Sequence, residues 1–521
     1  MTQASPHNLA SLLAQSARRW PRLPAVALGA KAMHDYAALA HRAARLAYGL
    51  KLAGLVAGDR VLLVSRNTPQ YVEALFGCWW AGFVAVPSNA KLHERELAHV
   101  LDDSDARFVL HDRSAEATVA TLVRARGQAI GAACFGDAAY DALLAHDEAP
   151  SIAPVSPDAP AWLFYTSGTT GRAKGVIISH ANLRAMTACF LQDVETIAPG
   201  DAIIHAAPLS HGSGLYVLPH IARGAVNVVP QSGGFEPDEI FALLGTWNRS
   251  LLFAAPTMVR RIVAAPTLAG APLDRLKCIV YGGGPMYVED CKRAYAALGP
   301  RLAQIYGQGE SPMTITAMDR ATLADSIESG DDARIASVGS AQSGLEVRIA
   351  GADDATLPAG AVGEVLVRGP TVMQGYWRNE DASARALAGG WLHTGDLGVV
   401  DADGFLTLKD RLKDLIISGG SNIYPREVEE VLLAHPAVAE VAVIGRRHEE
   451  WGEEVVAVVV PRQPLADGAE RASFERALDR HCLDAIARFK RPRAYFIVAE
   501  LPKNETGKVL KRALRERIAS S

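Results

Sequence analysis

Short apolar runs alternate with amphipathic stretches between residues 58 and 111. "RVLLV", "FVAVP" and "ARFVLH" have the length and residue types of buried strands, whereas "PQYVEALFGCWWAG" and "ERELAHVLDDS" have the length and spacing of helices. Strands that alternate with helices predict a mostly parallel sheet that is covered on both faces. This part of the chain is therefore predicted to be an α/β unit.

The same alternation resumes after residue 200. The apolar runs "AIIHAAP", "AVNVVP", "SLLFAAP" and "CIVYGGG" each end at small or turn residues, and helical segments such as "PDEIFALLGTW" lie between them. In an open α/β sheet, functional groups are expected at the C-terminal ends of the strands. We therefore expect a second αβ-layered unit that carries site residues at its strand ends.

The pattern changes between about residues 335 and 410. "EVRIA", "GEVLVRG" and "GFLTLKD" are separated by Gly and Asp turns, which predicts a small antiparallel sheet or barrel. A compact unit follows, with the helix "PREVEEVLLAH", the strands "EVAVIG" and "EVVAVVV", and the helix "FERALDRHCLDAIARF". The predicted fold is α/β. Its large N-terminal domain (residues 1–412) comprises two αβ-layered subdomains and a small β-barrel, and a small mobile α/β C-terminal domain (413–521) follows.

Composition excludes several classes of function. The chain has 521 residues, of which 49% are hydrophobic and 21% charged, and its net charge of −4 provides no basic field for nucleic acid. The longest apolar stretch ends at Pro87, well short of the roughly 20 residues of a membrane span. Six scattered cysteines without a C-x-x-C pair indicate reduced thiols. We expect a cytoplasmic protein with no nucleic-acid partner and no membrane span.

The N-terminal segment admits two interpretations. It lacks acidic residues before Asp35 and carries Arg18, Arg19 and Arg22, a composition that transit peptides share. The stretch "NLASLLAQSARRW" also has the spacing of an amphipathic helix that Asn8 caps. We favour the helix.

The stretch "YTSGTTGRAKGV" at residues 165–176 is built to hold an anion. Gly168 and Gly171 let backbone N–H groups approach a ligand closely, and Lys174 adds a positive charge. It is not a Walker A loop, because Lys174 is followed by Gly175 instead of Ser or Thr. A flexible linker is disfavoured, since the strand-like "WLFY" leads directly into the stretch. The expected ligand is a polyphosphate.

This loop resembles the phosphate-loop signature of the adenylate-forming superfamily, which includes acyl-CoA synthetases, peptide-synthetase adenylation domains and beetle luciferases. Seven further segments resemble the family's motifs in the family's order: "APLSHGSG" (acyl-pocket gate), "YGGGP" (adenine turn), "YGQGES" (Y-G-x-x-E), "GEVLVRGPTVMQGYW" (the segment after it), "WLHTGDLG" (ribose aspartate), "DRLKDLIISGGSNIYPREVEE" (hinge) and "LPKNETGKVLKR" (C-terminal lysine). The resemblance covers essentially the whole chain. It implies an AMP-forming acyl-CoA synthetase that uses ATP, Mg²⁺ and CoA.

The resemblance also implies roles for residues at the nucleotide. Glu310 matches the magnesium ligand, Lys508 matches the lysine that bridges the substrate carboxylate and the α-phosphate, and Arg411 would reach the ribose or α-phosphate; these three are the implied catalytic residues. The remaining nucleotide contacts are implied for Thr166, Ser167, Gly168, Thr169, Thr170, Gly171 and Lys174 at the phosphates, and for Gly283, Gly284, Pro285, Tyr306, Gly307 and Asp396 at adenine and ribose.

Residues near the acyl group, the hinge and the CoA tunnel follow in the same way. The implied acyl pocket and gate comprise His211, Gly212, Gly282, Gln308 and Met313, the implied hinge residue is Lys413, and the implied CoA-tunnel residues are Gly419 and Gly420. The chain departs from the family at Gly309, where threonine is common before the metal-binding glutamate. This loss of a hydroxyl leaves the role of position 309 open, and one interpretation is a wider site.

Each of these residues also has a purely structural interpretation. Glu310 could be a solvated acid, Tyr306 a core tyrosine, Asp396 a turn residue and Lys508 a lysine of a basic tail, and the glycine pair after Ser418 could form a hairpin turn. A lone histidine such as His211 is usually structural. The agreement of all the motifs in sequence order favours the functional interpretation.

The leading function is an AMP-forming acyl-CoA ligase for a medium-to-long-chain or aryl monocarboxylic acid. Glycines in the lining stretches (Gly212, Gly214, Gly282, Gly309) are expected to leave volume, and only Arg260 and Arg261 could pair a second carboxylate. The alternatives are an enzyme that loads a separate acyl carrier protein, a luciferase-like oxygenase and a nucleotide sensor without catalysis. The expected assembly is a homodimer.

Overall fold

The computed structural model describes residues 6–127, 130–146, 148, 150–166, 173–411, 414–418, 421–466, 468–503 and 508–519. The strands are β1 (Pro24–Leu28), β2 (Lys31–Asp35), β3 (Arg60–Ser65), β4 (Val84–Asn89), β5 (Ala106–His111), β6 (Gly131–Cys134), β7 (Pro160–Thr166), β8 (Lys174–Ser179), β9 (Ala202–Ile204), β10 (Val226–Val229), β11 (Ser250–Ala254), β12 (Leu276–Tyr281), β13 (Leu302–Gln308), β14 (Ser311–Met318), β15 (Ser340–Ala341), β16 (Glu346–Ala350), β17 (Gly363–Arg368), β18 (Gly375–Tyr376), β19 (Leu392–Val400), β20 (Leu406–Arg411), β21 (Ile416–Ser418), β22 (Ser421–Ile423), β23 (Val438–His448), β24 (Gly452–Pro461) and β25 (Ala494–Ile497).

The α-helices are α1 (Ala10–Arg19), α2 (Tyr36–Leu52), α3 (Pro69–Ala81), α4 (Glu94–Ser104), α5 (Glu116–Ala125), α6 (Ala138–Leu144), α7 (His180–Cys189), α8 (Gly212–Leu215), α9 (Val217–Ala222), α10 (Pro237–Thr246), α11 (Pro256–Ala264), α12 (Val288–Leu298), α13 (Arg320–Ser329), α14 (Asp332–Ile335), α15 (Glu380–Ala386), α16 (Pro425–Ala434), α17 (Gly468–Ala485) and α18 (Lys511–Ala519). A single π-helical turn, Phe190–Val194, continues α7.

The first sheet has the strand order β18-β8-β7-β4-β3-β5-β6, and the pairs between β7 and β6 are parallel. Helix α3 starts with Pro69, whose missing N–H costs nothing at this position, and ends at Gly82 in the left-handed conformation. Every residue of α3 except Gln70 is buried. A helix that is apolar on all its faces, such as α3, is expected in the core. The α/β prediction for this region is confirmed.

The second sheet has the order β15-β14-β13-β12-β11-β9-β10-β1-β2, with parallel pairing from β13 to β1. The N-terminal segment thus completes the second sheet. Helix α1 is also integral to the fold: Leu9 and Leu13 are fully buried, and Asn8 Oδ1 accepts a hydrogen bond from the Ala10 N–H at 2.9 Å. The predicted N-terminal helix is confirmed.

The third sheet is antiparallel, in the order β16-β17-β19-β20. Its edge strands β16 and β20 do not pair with each other in the described part of the chain, so the predicted β-barrel is instead an open sheet. Four strands are too few to close a barrel around packed side chains. Strand β19 was not predicted as a strand, because its "HTGD" portion lacks alternating apolar residues.

The C-terminal unit has its own sheet. Strand β24 pairs with β21, β23 and β25, and β22 pairs with β21. Helices α16 and α17 cover a core that includes Val428, Leu432 and Leu478. Tyr287 of the large domain packs in the same cluster. The predicted boundary at residues 412 and 413 lies outside the described residues and stays a prediction.

All six cysteines are buried and free. None of the helices in the described ranges is both long enough and apolar enough to cross a bilayer.

Candidate active site

Asp396 on β19 is the centre of one half of the site. Its side chain is buried, with the residue only 5% exposed, and one carboxylate oxygen (Oδ2) accepts hydrogen bonds from Tyr306 Oη at 2.6 Å and from Gln308 Nε2. The other oxygen (Oδ1) lies 3.2 Å from Arg411 Nε. Pairing of β19 with β20 places Asp396 directly opposite Arg411, and β13 supplies the other two donors.

This arrangement orients the carboxylate without using all its acceptor capacity. An ionised carboxylate has about four lone-pair directions, so three donors leave room for a ligand hydroxyl. Burial, followed by the charge of Asp396, raises the pKa of Tyr306 well above its usual value, and the phenol remains a donor. The predicted stacking of Tyr306 on adenine is untested, but its hydroxyl end is bound to the ribose-motif aspartate.

Gln308 lies beside the ribose-motif aspartate, although the sequence predicted that it lines the acyl pocket. Its amide donates to the Thr394 carbonyl at 2.9 Å and to Asp396. A β-bulge after Tyr306 shifts the register of β13 against β14. Tyr306 and Gln308 are two residues apart on β13, so they lie on the same face of the strand and both reach Asp396 Oδ2.

Glu310 and Lys174 form the other half of the site, and Tyr376 connects them. Tyr376 Oη donates to Glu310 Oε1 at 2.8 Å, and Lys174 Nζ lies 5.1 Å from the centroid of the Tyr376 ring. The short strand β18 pairs Tyr376 with Val176 of β8, whose first residue is Lys174. Tyr376 was missed from the sequence. Its only signal is its position in the family-like segment "GEVLVRGPTVMQGYW", and no spacing relates it to Lys174 and Glu310.

The residues present fit ATP and Mg²⁺. Glu310 keeps a second carboxylate oxygen, and Mg²⁺ is usually held by one or two carboxylates together with phosphate oxygens and water. Lys174 and Thr166 face each other across the β7–β8 hairpin, next to the phosphate-loop motif. Glu310 would hold the metal, Lys174 would hold phosphate oxygens, and Asp396 would accept the ribose hydroxyls.

Several predicted residues lie outside the described residues. They are Ser167, Gly168, Thr169, Thr170 and Gly171 of the phosphate loop, Lys413 of the hinge, and Gly419 and Gly420 of the CoA tunnel. Lys508 is described: it is exposed and precedes Val509, which bridges to Lys503. The role of Lys508 stays a prediction.

The glycines of the lining stretches do not leave volume, contrary to the sequence-based expectation. A Cβ on Gly309 would lie 2.5 Å from Thr166 Cγ2 and 3.0 Å from Phe164 Cδ1, and a Cβ on Gly282 would lie 2.5 Å from Ile305 Cδ1. Neighbours likewise fill the space beside Gly212 (Phe253 and Met313) and beside Gly214 (the Leu209 carbonyl). These glycines permit close packing, and the wider site inferred at Gly309 is not observed.

Three of the predicted gate residues, His211, Gly212 and Met313, lie close together. A Cβ on Gly212 would lie 3.0 Å from Met313 Sδ and 2.8 Å from Phe253 Cε1, so the gate helix α8 touches the ends of β11 and β14. His211 is bonded to Ser210 Oγ at 2.9 Å and meets the edge of the Phe164 ring at 5.6 Å. Burial lowers the pKa of His211, which keeps it neutral. A neutral, packed imidazole agrees with a wall residue.

The adenine-turn motif has the backbone geometry that its glycines suggest. Gly283 adopts a φ of +80°, which glycine tolerates without strain. A Cβ on Gly284 would reach only Pro256, at 3.7 Å. The turn from Gly282 to Pro285 therefore follows β12 directly, at the strand end where a ligand is expected.

Comparison with known proteins identifies the class. Residues 13–377 match the family model described as AMP-binding enzyme, and residues 427–508 match that of the AMP-binding enzyme C-terminal domain. The chain belongs to this family. It is an AMP-forming acid–thiol ligase of the acyl-CoA synthetase type, which uses ATP, Mg²⁺ and CoA, and the non-catalytic sensor is thereby set aside.

Individual relatives are similar over nearly their whole length. A feruloyl-CoA synthase of Amycolatopsis sp is 37% identical over 512 residues, covering 98% of this chain and 99% of the relative. The fatty acid–[acyl-carrier-protein] ligase ScoC of Streptomyces coeruleorubidus is 34% identical over 505 residues, covering 96% and 94%. The crystal structure of ATP-bound MatB from Rhodopseudomonas palustris has a TM-score of 0.86 at 30% identity, covering 98% of both chains.

Proposed function

We propose that this enzyme activates a medium-to-long-chain or aryl monocarboxylic acid as its acyl-adenylate and transfers the acyl group to CoA. The observation that carries the proposal is the charge of the wall near the gate. Arg260 Nη1 pairs with Asp290 at 3.3 Å, and the Arg261 side chain is 58% exposed with its guanidinium over the Phe235 ring. Neither arginine is a free buried cation, and a buried second carboxylate would need one.

Aromatic and sulfur-containing side chains form the wall instead. Phe164, Phe253 and Met313 lie against the gate segment at His211 and Gly212, and Met258 packs against the cluster that contains Phe253. Methionine adapts to ligands of different shape. An aryl acid finds edge-on and stacked partners among such side chains. The name of the feruloyl-CoA synthase relative supports the aryl member of this substrate class.

The proposed chemistry proceeds in two steps. A carboxylate oxygen attacks the α-phosphorus of ATP and pyrophosphate leaves, and then the CoA thiol attacks the acyl carbon and AMP leaves. Both steps bring anions together, so preorganised positive charge carries most of the catalysis. Lys174 and Arg411 would supply that charge, together with the cation that Glu310 would hold, and Lys508 would add to it in the first step only. No general base is needed in the first step, because the acid is already ionised.

A carrier-protein acceptor is the second candidate. The name of ScoC, a fatty acid–[acyl-carrier-protein] ligase, favours it. The two acceptors are separated by offering CoA and a phosphopantetheinylated carrier protein in parallel, with the same acid and ATP. Transfer to CoA with an efficiency at least as high as to the carrier supports the leading proposal.

A panel of acids tests the substrate class. AMP production is measured with ATP and CoA for octanoate, cinnamate, benzoate, acetate and malonate, in the wild type and in Arg260→Ala and Arg261→Ala. Arg476→Ala, at an exposed position of α17, is the control for loss of a surface arginine. The highest kcat/KM is expected for octanoate or an aryl acid. Best activity on malonate that disappears in either variant but not in the control overturns the proposal.

A further inference from the structure

The chain reaches the gate helix α8 through an irregular segment. Residues 205–211, the gate loop, join the end of β9 to the start of α8 as loop and turn. The gate loop ends at His211, whose ring meets the edge of the Phe164 ring. Buried backbone groups that are not paired within a helix or a strand need other partners. The position of the gate loop therefore depends on the groups that bind its backbone.

Asn67 binds the backbone of the gate loop at three points. Its Nδ2 donates hydrogen bonds to the carbonyl of His205 at 2.7 Å and to that of Ala207 at 2.8 Å. Its Oδ1 accepts a hydrogen bond from the Leu209 N–H at 2.8 Å. The two carbonyls need a donor and the N–H needs an acceptor, so these partners fix the orientation of the amide. One side chain thus pairs with every second residue of an extended stretch.

This side chain belongs to the other half of the large domain. Asn67 lies between β3 of the first sheet and α3, whereas the gate loop follows β9 of the second sheet. The residue is 6% exposed, so its hydrogen bonds are shielded from water. It directly precedes the residue that caps α3, a helix that is buried on nearly all its faces. Close packing holds such a helix in place, which makes Asn67 a fixed anchor for the loop.

The position of the gate loop determines the position of α8. A Cβ on Gly214 would lie 1.8 Å from the Leu209 carbonyl oxygen, so the backbone of α8 packs directly against the loop. Two residues earlier in the same helix, a Cβ on Gly212 would lie 3.0 Å from Met313 Sδ. With contacts this close, a displacement of the loop displaces the wall that α8 and Met313 form.

Asn8 makes the same set of hydrogen bonds with residues outside the gate loop. Its Nδ2 donates to the carbonyls of Trp79 at 2.7 Å and Ala153 at 3.0 Å, and its Oδ1 accepts from the Ala10 N–H at 2.9 Å. It is fully buried and ties the start of α1 to α3. A purely structural role predicts similar consequences for loss of either amide, whereas a role at the gate predicts an effect on the acid for Asn67 alone.

We propose that Asn67 is a positioning residue, whose side-chain amide holds the gate loop where His211, Gly212 and Met313 form the wall of the acyl pocket. The inference rests on the proposed function, because it takes the gate as the boundary of that pocket. Asn67 acts through the backbone of the loop. Without the amide, two carbonyls and one N–H must find other partners, so the loop adopts other positions and the acid binds less tightly. The nucleotide site around Asp396 lies on other segments of the chain.

The test measures KM for the acid and KM for ATP separately, with the best acid of the panel above. The enzymes are the wild type, Asn67→Ala and the matched control Asn8→Ala, each variant lacking three hydrogen bonds of one buried asparagine. In Asn67→Ala, KM for the acid is expected to rise about tenfold while KM for ATP stays within about twofold. Both constants are expected to stay at the wild-type values in Asn8→Ala.

A milder variant covers the case in which Asn67→Ala does not fold, as judged by thermal unfolding. Asn67→Ser keeps one hydroxyl in the place of the amide, and the rise in KM for the acid is expected to be smaller but confined to the acid in the same way. The same criteria then apply to Asn67→Ser.

The outcomes separate this inference from the proposed function. An unchanged KM for the acid in the Asn67 variant overturns the role of Asn67 while the ligase activity stands. An equal rise in KM for ATP, or an equal rise in KM for the acid in Asn8→Ala, overturns it as well, because both indicate a general loss of structure. If the wild type activates no acid of the panel, the proposed function fails, and the inference fails with it.

Discussion

Tyr287 Oη donates a hydrogen bond to Glu429 Oε2 at 2.9 Å, which joins the start of α12 in the large domain to α16 in the C-terminal unit. The other oxygen of Glu429 accepts from the Val443 N–H at 2.8 Å and pairs with Lys511 Nζ at 2.9 Å. Lys511 Nζ also lies 3.9 Å from Asp410 of β20, just before the predicted hinge. One buried glutamate thus links the large domain, the hinge strand and the last helix.

Removal of the Tyr287 hydroxyl should shift the balance between the two half-reactions. Tyr287→Phe deletes one bond that holds this orientation of the C-terminal unit, so other orientations become more populated. Pyrophosphate release and transfer from a supplied acyl-adenylate to CoA should change in opposite directions, by a few-fold. The control is Tyr295→Phe, which removes a tyrosine–glutamate bond (to Glu328) within the large domain. A parallel loss of both rates would argue against a role in orientation.

Lys508→Ala should lower the rate of adenylation by at least about 100-fold and leave the rate of transfer from a supplied acyl-adenylate to CoA unchanged. The proposed role of Lys508 is confined to neutralising charge between the carboxylate and the α-phosphate. Lys503→Ala, five residues away and paired with Glu440, is the matched control. Pyrophosphate release is followed for the first step and acyl-CoA formation for the second. Equal losses in both steps would remove Lys508 from that role.

Glu310→Gln should raise the Mg²⁺ concentration that half-maximal turnover requires, with a smaller effect on nucleotide binding. The amide keeps the shape of the side chain and its contact with Tyr376, but it lacks the charge that a hard cation needs. The control is Glu346→Gln, which removes the charge of a surface carboxylate that pairs with Arg368. Titration of activity with Mg²⁺ gives the comparison, and an unchanged midpoint would contradict the metal assignment.

Gly309→Ala should lower kcat/KM by more than about tenfold. The added methyl group would press on Thr166 and Phe164, and overpacking of this kind costs about 1–3 kcal/mol. Gly245→Ala adds the same methyl group in α10, where nothing lies within 4 Å. Wild-type efficiency in Gly309→Ala would mean that the close packing at this position has no catalytic consequence.

Acid should destabilise the protein through its buried histidines. Burial lowers the pKa of His205 and of His180 to about 4, whereas an unfolded histidine titrates near 6.5. The unfolded state therefore binds more protons between these values. Stability is fully present above about pH 6.5 and falls as the pH drops towards 4, by about 1 kcal/mol per pH unit for each histidine.

Denaturant unfolding at pH 7.5, 6 and 5 measures this slope. His205 is bonded to Ser213 Oγ at 2.8 Å and to Asn227 Oδ1 at 3.0 Å, both neutral groups. His205→Gln should be less stable at pH 7.5 but should show a shallower loss towards pH 5. His41→Gln, at an exposed position of α2, is the control. An identical slope in His205→Gln and the wild type would contradict the assignment.

Local patterns were sufficient for the secondary structure and for the class of chemistry. Apolar runs that alternate with helical segments predicted β3–β5 of the first sheet and β9–β12 of the second. Pro69 and Gly82 mark the ends of α3, because their backbone preferences act within a turn. The phosphate-loop and aspartate motifs identified the family for a similar reason. The residues of each motif lie within a few positions of each other, so the motif can be recognised from the sequence alone.

The tertiary structure decided what depends on side chains that are distant in the chain. Gln308 contacts Asp396, which lies 88 residues further along the chain, and Tyr376 joins Lys174 to Glu310 because a two-residue strand pairs with β8. The sequence suggested that glycines leave space, whereas the structure fills that space with neighbouring side chains. A glycine indicates only that a side chain is absent, and what occupies the volume is set by packing between elements far apart in the sequence.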